Sequence, residues 1–409
     1  MIRLGALIAA SLLSACVGGN KTPAAPATNP VSTTLNTVAL TIDAGPPAAT
    51  GQVNHAYVTL KVCVSGSTTQ CASIDHVLVD TGSSGLRLVR SVLTSAGVTL
   101  PAATDAQGQT IEECMSFGAG QTWGPVAVAD VTVAGEVAAK LPVQIMDDTN
   151  ASAPPPVACG ANGTLINDVS SIGANGLFGV GVFAQDCGSA CVSPTTPLAL
   201  YYGCTTAGTC TAENIALANQ VTNPVAMFPT DNNGIIVSLP NLQNANGDTS
   251  VTGELVFGIA TQADNALPST ALTVLGADAT GDFTATYNGG TTALPALIDS
   301  GSDIYAFDDP TIAVCASGAY VGYYCPTVAP QSLFAVNMGA GTYNATNTVD
   351  FAIADPNSFV AGAAAFIDLG GGRGSTNFTW GMPFFYGRKI YFGIDQRVSG
   401  TYTGPFYAY

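Results

Sequence analysis

The sequence predicts a mainly β protein that is built from two similar halves. Its 409 residues are 47% hydrophobic and only 9% charged, and they include 46 Gly. This composition supports a large core and differs from that of a disordered chain, which has low hydrophobicity and many charges. Lys and Glu, which the surfaces of amphipathic helices favour, are scarce beside Thr, Val and Gly. Strands with short turns are therefore expected.

Apolar runs that predict strands occur in both halves of the chain. They cover residues 56–62, 74–79, 126–133, 234–239, 253–259 and 389–395. A helical pattern is visible only at residues 198–202 and 212–219. We place an N-terminal lobe at residues 37–233 and a C-terminal lobe at residues 234–409.

The charge balance excludes one class of partner. The net charge is −17, from 10 Lys+Arg and 27 Asp+Glu. Because phosphate backbones repel such a surface, we expect no nucleic acid to bind. Few basic groups also mean that protonation of the carboxylates leaves only a modest positive charge, so the composition permits work at low pH. We expect the protein to be a monomer.

The N-terminus has the features of a secretory signal. Residues 1–16 combine a basic start, a short apolar stretch and the sequence Leu-Ser-Ala-Cys. This ending resembles the bacterial lipobox, which implies cleavage before Cys16 and a lipid anchor on it; an ordinary signal peptide with a chance Cys is the alternative. Residues 17–36 are a flexible Pro/Ala/Thr tether. The expected location is the bacterial cell envelope, facing the periplasm or the exterior, with contact to the membrane through the lipid only.

The cysteines indicate an oxidising compartment. Without Cys16, the 11 Cys become 10, an even number, and no metal-binding motif accompanies them. Cys63 and Cys71 bracket a polar loop and are expected to close a hairpin. Further candidates are the short-range pairs Cys187 and Cys191, Cys204 and Cys210, and Cys315 and Cys325, although the sequence does not fix the pairing. We expect neither a metal site nor a cofactor.

Two turns carry the candidate chemistry. Asp80 and Asp299 each follow an apolar strand and precede a hydroxyl residue, Gly and Ser. If the turns meet about a pseudo-twofold axis, two carboxyl groups a few ångströms apart cannot both ionise, so they share a proton near neutral or acidic pH. One carboxylate can then take a proton from a water while the other carboxyl group donates to a substrate carbonyl. This chemistry requires neither a metal nor His.

The two turns, Asp-Thr-Gly-Ser at residues 80–83 and Asp-Ser-Gly-Ser at residues 299–302, resemble the active-site motifs of the pepsin-like aspartic proteases. Residues 175–180 and 380–395 are similar to two later segments of that family, and the resemblance covers roughly residues 50–400. It implies a bilobal fold with pseudo-twofold symmetry and an active-site cleft between the lobes. The lipobox and the Trp-Gly-Met-Pro-Phe-Phe stretch also resemble a bacterial family of such lipoproteins.

The resemblance assigns roles to individual residues. Asp80 and Asp299 would be the catalytic pair. The supporting residues would be Thr81 and Ser300, as a brace between the two loops, and Ser83 and Ser302, as partners of the outer carboxylate oxygens.

A hairpin at residues 114–124 with a Gly-rich tip is similar to the family's flap. Phe117, Gly118 and Trp123 would then contact substrate, although the pattern fits an ordinary hairpin with core aromatic residues equally well. Phe117 stands where the family has Tyr.

Two further positions depart from the family pattern. Pro383 stands where the family has Gly and Gly381 is displaced, which predicts a different backbone there. Asp303 places a third carboxyl group beside the second motif.

The function expected from these features is that of an aspartic-type peptidase acting on a peptide or protein. The alternative is a non-catalytic module of the same fold that binds a peptide or glycan at the cell envelope.

Overall fold

Strands dominate the part of the chain that the computed structural model describes, which is residues 35–160, 164–244, 246–268 and 272–409. The predicted signal peptide, Cys16 and all of the tether except Leu35 and Asn36 lie outside these residues.

All six apolar runs that predicted strands overlap a strand, and the described residues form 24 strands in all. Those of the first half are β1 (Thr37–Ile42), β2 (Ala56–Val64), β3 (Cys71–Asp80), β4 (Ser84–Val89), β5 (Thr110–Phe117), β6 (Gly120–Val133), β7 (Glu136–Met146), β8 (Gly176–Val180), β9 (Tyr201–Cys204) and β10 (Cys210–Ala212). Those of the second half are β11 (Gly234–Ser238), β12 (Val251–Phe257), β13 (Val274–Gly276), β14 (Phe283–Tyr287), β15 (Ala293–Ile298), β16 (Tyr305–Ala306), β17 (Gln331–Met338), β18 (Thr346–Ile353), β19 (Gly370–Gly371), β20 (Phe378–Trp380), β21 (Lys389–Gly393), β22 (Val398–Ser399), β23 (Tyr402–Thr403) and β24 (Phe406–Ala408).

Helices in the described residues are short. The α-helices are α1 (Arg90–Ser95), α2 (Val157–Gly160) and α3 (Val169–Ile172), and the 3₁₀ turns are Gly188–Cys191, Leu217–Asn219, Pro224–Met227, Pro356–Ser358 and Met382–Phe385. The helical pattern read at residues 198–202 was wrong, since this stretch enters β9, where it is buried between neighbouring elements. At residues 212–219 only a 3₁₀ turn forms. None of the described helices combines the length and apolarity needed to cross a membrane.

The sheet order reveals the internal repeat. The larger sheet has 15 strands in the order β10-β9-β5-β6-β7-β4-β8-β3-β2-β1-β12-β11-β21-β24-β13, and a second sheet has 7 in the order β18-β17-β14-β15-β20-β16-β19. The run β7-β4-β8-β3-β2 matches the run β19-β16-β20-β15-β14, because β3 is parallel to β8 and β15 is parallel to β20, while β4 and β16 return antiparallel. The mainly β fold predicted from the sequence is confirmed, and its strand order contains the predicted internal repeat.

A glycine occupies the same position in each repeat. Gly179 pairs with Asp80 and Gly85, and a Cβ on it would collide with the Gly85 carbonyl. Gly381 follows Trp380, which pairs with Ile298, and a Cβ there would collide with the carbonyl of Ile304. The expectation that Gly381 is displaced was therefore wrong. It occupies the position in the second repeat that Gly179 occupies in the first, and Pro383 belongs to the 3₁₀ turn that follows.

The first strand joins the two halves of the chain. β1 lies between β2 and β12, and its register with β12 runs from Thr37 opposite Val256 to Ile42 opposite Val251. With β2 it shares only the pairs that begin at Thr41. The sheet is thus continuous across the predicted lobe boundary.

Asn54 forms a second connection between the halves. Its fully buried amide donates to the carbonyl oxygens of Asp303, at 2.7 Å, and Phe366, at 3.0 Å. Its Oδ1 accepts from the backbone N–H of Phe366 and from the hydroxyl of Tyr386, each at 2.8 Å. Every hydrogen-bonding atom of this buried side chain is therefore satisfied by the C-terminal half.

The candidate cysteines form disulfides in the described residues. The bonds are Cys63–Cys71, Cys187–Cys191, Cys204–Cys210 and Cys315–Cys325, together with Cys114–Cys159, which the sequence did not single out as a pair. The even count without Cys16 was the only sequence signal for this last bond. It ties β5 to α2.

Candidate active site

Asp80 stands at the end of a buried strand. Val77 and Val79 are fully buried, so the C-terminal end of β3 lies in the core. Beyond the strand, the backbone N–H of Gly82 donates to Asp80 Oδ1 at 2.9 Å, and the hydroxyl of Ser83 donates to Oδ2. These bonds fix the carboxyl group in one orientation.

Asp299 is held in the same way. It follows β15, whose last residue Ile298 is fully buried. Gly301 N donates to Asp299 Oδ1 at 2.8 Å, and the hydroxyl of Ser302 donates to Oδ2 at 2.6 Å. The two turns therefore repeat each other bond for bond.

The fold brings the two carboxyl groups together. The backbone N–H of Gly82, which donates to Asp80, also donates to Asp299 Oδ1 at 3.1 Å. One backbone N–H is thus shared by the two carboxyl groups. Glycine is required in both turns, since a Cβ on Gly82 would lie 2.6 Å from Asp299 Cγ and a Cβ on Gly301 would lie 2.8 Å from Asp80 Oδ1.

Thr81 and Ser300 bind each other's loops beneath this pair. Ser300 N donates to Thr81 Oγ1 at 2.9 Å, and Thr81 Oγ1 donates to Ile298 O at 3.1 Å. In the other direction, Thr81 N donates to Ser300 Oγ at 3.2 Å, and Ser300 Oγ donates to Val79 O at 2.6 Å. Both side chains are buried, so no water competes for these bonds.

The electrostatics of the pair separate it from ordinary surface aspartates. Burial and the charge of Asp299 raise the pKa of Asp80 to about 7, against the opposing hydrogen bonds from Ser83 and Gly82. A carboxyl group this close to a second one holds a proton near neutral pH. The arrangement can therefore present one acid and one base to a molecule placed between them.

Asp303 lies beside the second turn, as its sequence position requires. Its Oδ2 accepts a hydrogen bond of 2.6 Å from the hydroxyl of Tyr323, and its backbone carbonyl accepts from Asn54. These contacts assign Asp303 to the junction between the halves.

The hairpin of β5 and β6 has a two-residue tip at Gly118 and Ala119, and both residues are exposed. Phe117, the last residue of β5, is half-buried and packs against a small cluster of apolar side chains that includes Leu78 of β3. The predicted hairpin thus exists, and Phe117 packs against the same apolar cluster as Leu78 of the strand that carries Asp80.

Trp123 lies inside the protein. It is 2% exposed, its indole N–H donates to the carbonyl of Ala153 at 2.8 Å, and its ring packs edge-on against Tyr202 with centroids 5.5 Å apart. The structure therefore places Trp123 in the core beside the Cys114–Cys159 bond, and does not place it where it could contact substrate.

A buried charged cluster lies next to the candidate site and was not identified from the sequence. Arg87 of β4, which stands between Leu86 and Leu88 in the sequence, has a fully buried side chain, as do Glu113 and Asp186. A charged residue inside an apolar run was the only available signal, because its partners lie 26 and 99 positions away.

The chain can now be compared with known proteins. Among solved structures it is similar to the aspartic proteinase from Irpex lacteus, with 16% sequence identity and a TM-score of 0.46, over 91% of this chain and 96% of that chain. No curated protein matches it. A family described as "Protein of unknown function (DUF3443)" matches residues 32–409, which is nearly the whole chain. The chain therefore belongs to the DUF3443 family.

Proposed function

We propose that the protein is an aspartic-type peptidase that hydrolyses peptide bonds through a water activated by Asp80 and Asp299. The observation that carries this proposal is the pair of carboxyl groups at the meeting point of two matching turns, where the backbone N–H of Gly82 donates to both. Two carboxyl groups that repel each other destabilise the junction at which they meet. Such perturbed groups cluster at functional sites, and this supports a catalytic role for the pair.

In this proposal Asp80 acts as the general acid and Asp299 as the general base. The raised pKa of Asp80, about 7, keeps a proton in the pair at acidic pH, and we assign this proton to Asp80 in the resting state. Asp299 then accepts a proton from a water held between the carboxyl groups, and Asp80 donates its proton to the carbonyl oxygen of the substrate. The water oxygen bonds to the carbonyl carbon, and a tetrahedral intermediate forms without an acyl-enzyme.

The surrounding residues have positioning roles in this proposal. Ser83 and Ser302 orient the outer carboxylate oxygens, so the inner oxygens face the water. Thr81 and Ser300 keep the two loops at a fixed separation. Preorganisation of this kind is what acid–base catalysis requires, because small displacements of the reacting groups are costly.

The proposed substrate and the proposed cellular location rest on features of the sequence. We propose that the substrate is a peptide or an unfolded protein, with Phe117 and Gly118 of the hairpin as contacts. The lipid on Cys16 and the tether would hold the folded body at the cell envelope, with no cofactor involved.

Digestion of an unfolded protein and of a peptide library, followed by mass spectrometry, tests the proposal. We expect wild-type cleavage at acidic to neutral pH that a statine-type inhibitor blocks. Asp80→Asn and Asp299→Asn should each reduce the rate by about 100- to 10,000-fold, whereas Asp350→Asn, at an exposed aspartate of β18, should not. Undiminished activity in either dyad variant would refute the mechanism, and ligand binding without any cleavage would favour the non-catalytic module.

A further inference from the structure

The Arg87 side chain contacts the loop of the first candidate catalytic aspartate. Arg87 lies on β4, a few residues beyond Asp80, and it is fully buried. Its Nη1 donates to the carbonyl oxygen of Ser84 at 3.0 Å and lies 3.5 Å from that of Gly85. These carbonyls belong to the first two residues of β4, directly after the turn that holds Asp80. A planar guanidinium donates in fixed directions, so it holds this backbone more rigidly than an ammonium could.

The same guanidinium contacts the hairpin. Its Nη2 donates to Glu113 Oε1 of β5 at 2.6 Å. Its central carbon lies 5.4 Å from the centroid of the Phe117 ring, within the range of a cation–π contact. Phe117 immediately precedes the exposed tip of the hairpin. The Arg87 side chain thus lies between the Phe117 ring and the backbone that follows Asp80, and it contacts both.

A third contact balances the charges. Asp186 Oδ2 accepts from Arg87 Nη2 at 3.1 Å, and the hydroxyl of Tyr201 lies 2.8 Å from the same carboxyl group. Burial and the charge of Glu113 raise the pKa of Asp186 well above its usual value. Protonation of Asp186 reduces the negative charge opposite Arg87. A buried charge that was not balanced in this way would be strongly destabilising.

We propose that Arg87 is a positioning residue that fixes the hairpin tip relative to the Asp80 loop and thereby sets the affinity for substrate. The inference rests on the proposed peptidase function for its kinetic part only. Arg87 does not contact the carboxyl pair, so its loss alters where Phe117 and Gly118 lie and leaves the acid–base chemistry in place.

Kinetics with a cleavable peptide test the affinity part. Arg87→Lys keeps the charge but loses the planar fork and the ring contact, so KM should rise about tenfold with kcat within about twofold of wild type. Phe117→Leu removes both the ring that Arg87 contacts and a proposed substrate contact, so it should raise KM by at least as much. Arg388→Met is the matched control, because Arg388 lies 4.5 Å from the Phe384 ring and donates to the Phe384 carbonyl, outside the hairpin. A fall in kcat with unchanged KM for Arg87→Lys would overturn the inference.

A second variant guards against unfolding. Arg87→Met alone leaves two buried carboxyl groups without their cation. The double variant Arg87→Met with Glu113→Gln removes the cation together with its nearest anion. Hydrogen–deuterium exchange of peptides covering residues 110–125 should be at least about tenfold faster in this double variant, since local opening free energies set exchange rates. Exchange elsewhere and in Arg388→Met should match the wild type.

Hydrogen–deuterium exchange tests the positioning role of Arg87 independently of peptidase activity. If the wild type cleaves no peptide, the proposed function fails, while faster exchange confined to the hairpin still supports the positioning role. If the hairpin exchanges at the wild-type rate in the double variant, the positioning role is refuted even in an active peptidase.

Discussion

Thr81 and Ser300, 219 positions apart in the chain, each accept a hydrogen bond from the other's backbone N–H. Each hydroxyl also donates to the carbonyl of the opposite strand, Ile298 in one case and Val79 in the other. The two loops are therefore locked by reciprocal bonds, and the separation of the candidate catalytic carboxyl groups is set beneath them.

Loss of one hydroxyl should destabilise the whole protein. Thr81→Val keeps the shape of the side chain but leaves Ser300 N–H without its buried acceptor, at a cost of about 1–3 kcal/mol. Denaturant unfolding measures this loss. Thr81→Ser should stay close to wild type, and so should Thr94→Val, whose hydroxyl is exposed on α1. Equal stability of Thr81→Val and wild type would contradict the reciprocal brace.

Activity should fall on the alkaline side as pH rises through about 7. The raised pKa of Asp80, about 7, means that the pair loses its shared proton in this range. Above it, kcat/KM should drop about tenfold per pH unit, because the acid that protonates the substrate carbonyl is gone. Circular dichroism at each pH separates titration from unfolding. A kcat/KM that is constant up to pH 9 would show that the pair does not share a proton.

Removal of the carboxyl group should stabilise the fold at high pH. The pKa of Asp80 rises from 3.8 to about 7 on folding, so its contribution to stability is fully present below about pH 4 and is lost as pH rises through 7. Asp80→Asn has no carboxyl group to ionise at this position, so it does not lose this stability as pH rises. Its Tm should exceed that of wild type by at least about 2 °C at pH 8. At pH 4 the two proteins should unfold at similar temperatures. A gain of the same size at both pH values would point to a cause other than titration, and Asp350→Asn provides the exposed control.

The Cys114–Cys159 bond should be the more stabilising of two comparable disulfides. It joins residues 45 positions apart, whereas Cys187–Cys191 joins residues only 4 apart. The entropy of the closed loop in the unfolded chain gives about 4 kcal/mol for the first and about 2 kcal/mol for the second. Paired Cys→Ser variants compared by denaturant unfolding measure both. A larger loss for the Cys187–Cys191 variant would contradict this order.

The parts of the site that could be predicted are those encoded locally. A strand followed by Asp, a hydroxyl residue, Gly and Ser specifies its own turn, so Asp80 and Asp299 were identified without knowledge of distant contacts. The equivalence of Gly179 and Gly381 was missed because it depends on strand register, which fixed spacing from a family motif does not reveal.

Two other features were beyond the reach of pattern reasoning. The sequence pattern did not decide whether Trp123 contacts substrate or belongs to the core. In the structure the Cys114–Cys159 bond, the carbonyl of Ala153 and Tyr202 enclose it, and none of them is adjacent to it in sequence. Arg87 finds its partners through the fold, since Glu113 and Asp186 come from separate elements. Such contacts follow from topology, and local propensity does not encode them.

The position of β1 determines how the protein bears mechanical load. A pull on the chain from its N-terminal side enters the folded body at Thr37, in the middle of the larger sheet. The hydrogen bonds between antiparallel strands run perpendicular to the strands, so tension along β1 loads the pairs with Val251–Phe257 in shear. Bonds loaded in shear resist together instead of opening one after another. Tension applied from the N-terminal side would thus be carried by the β1–β12 pairs, which join the two halves of the chain.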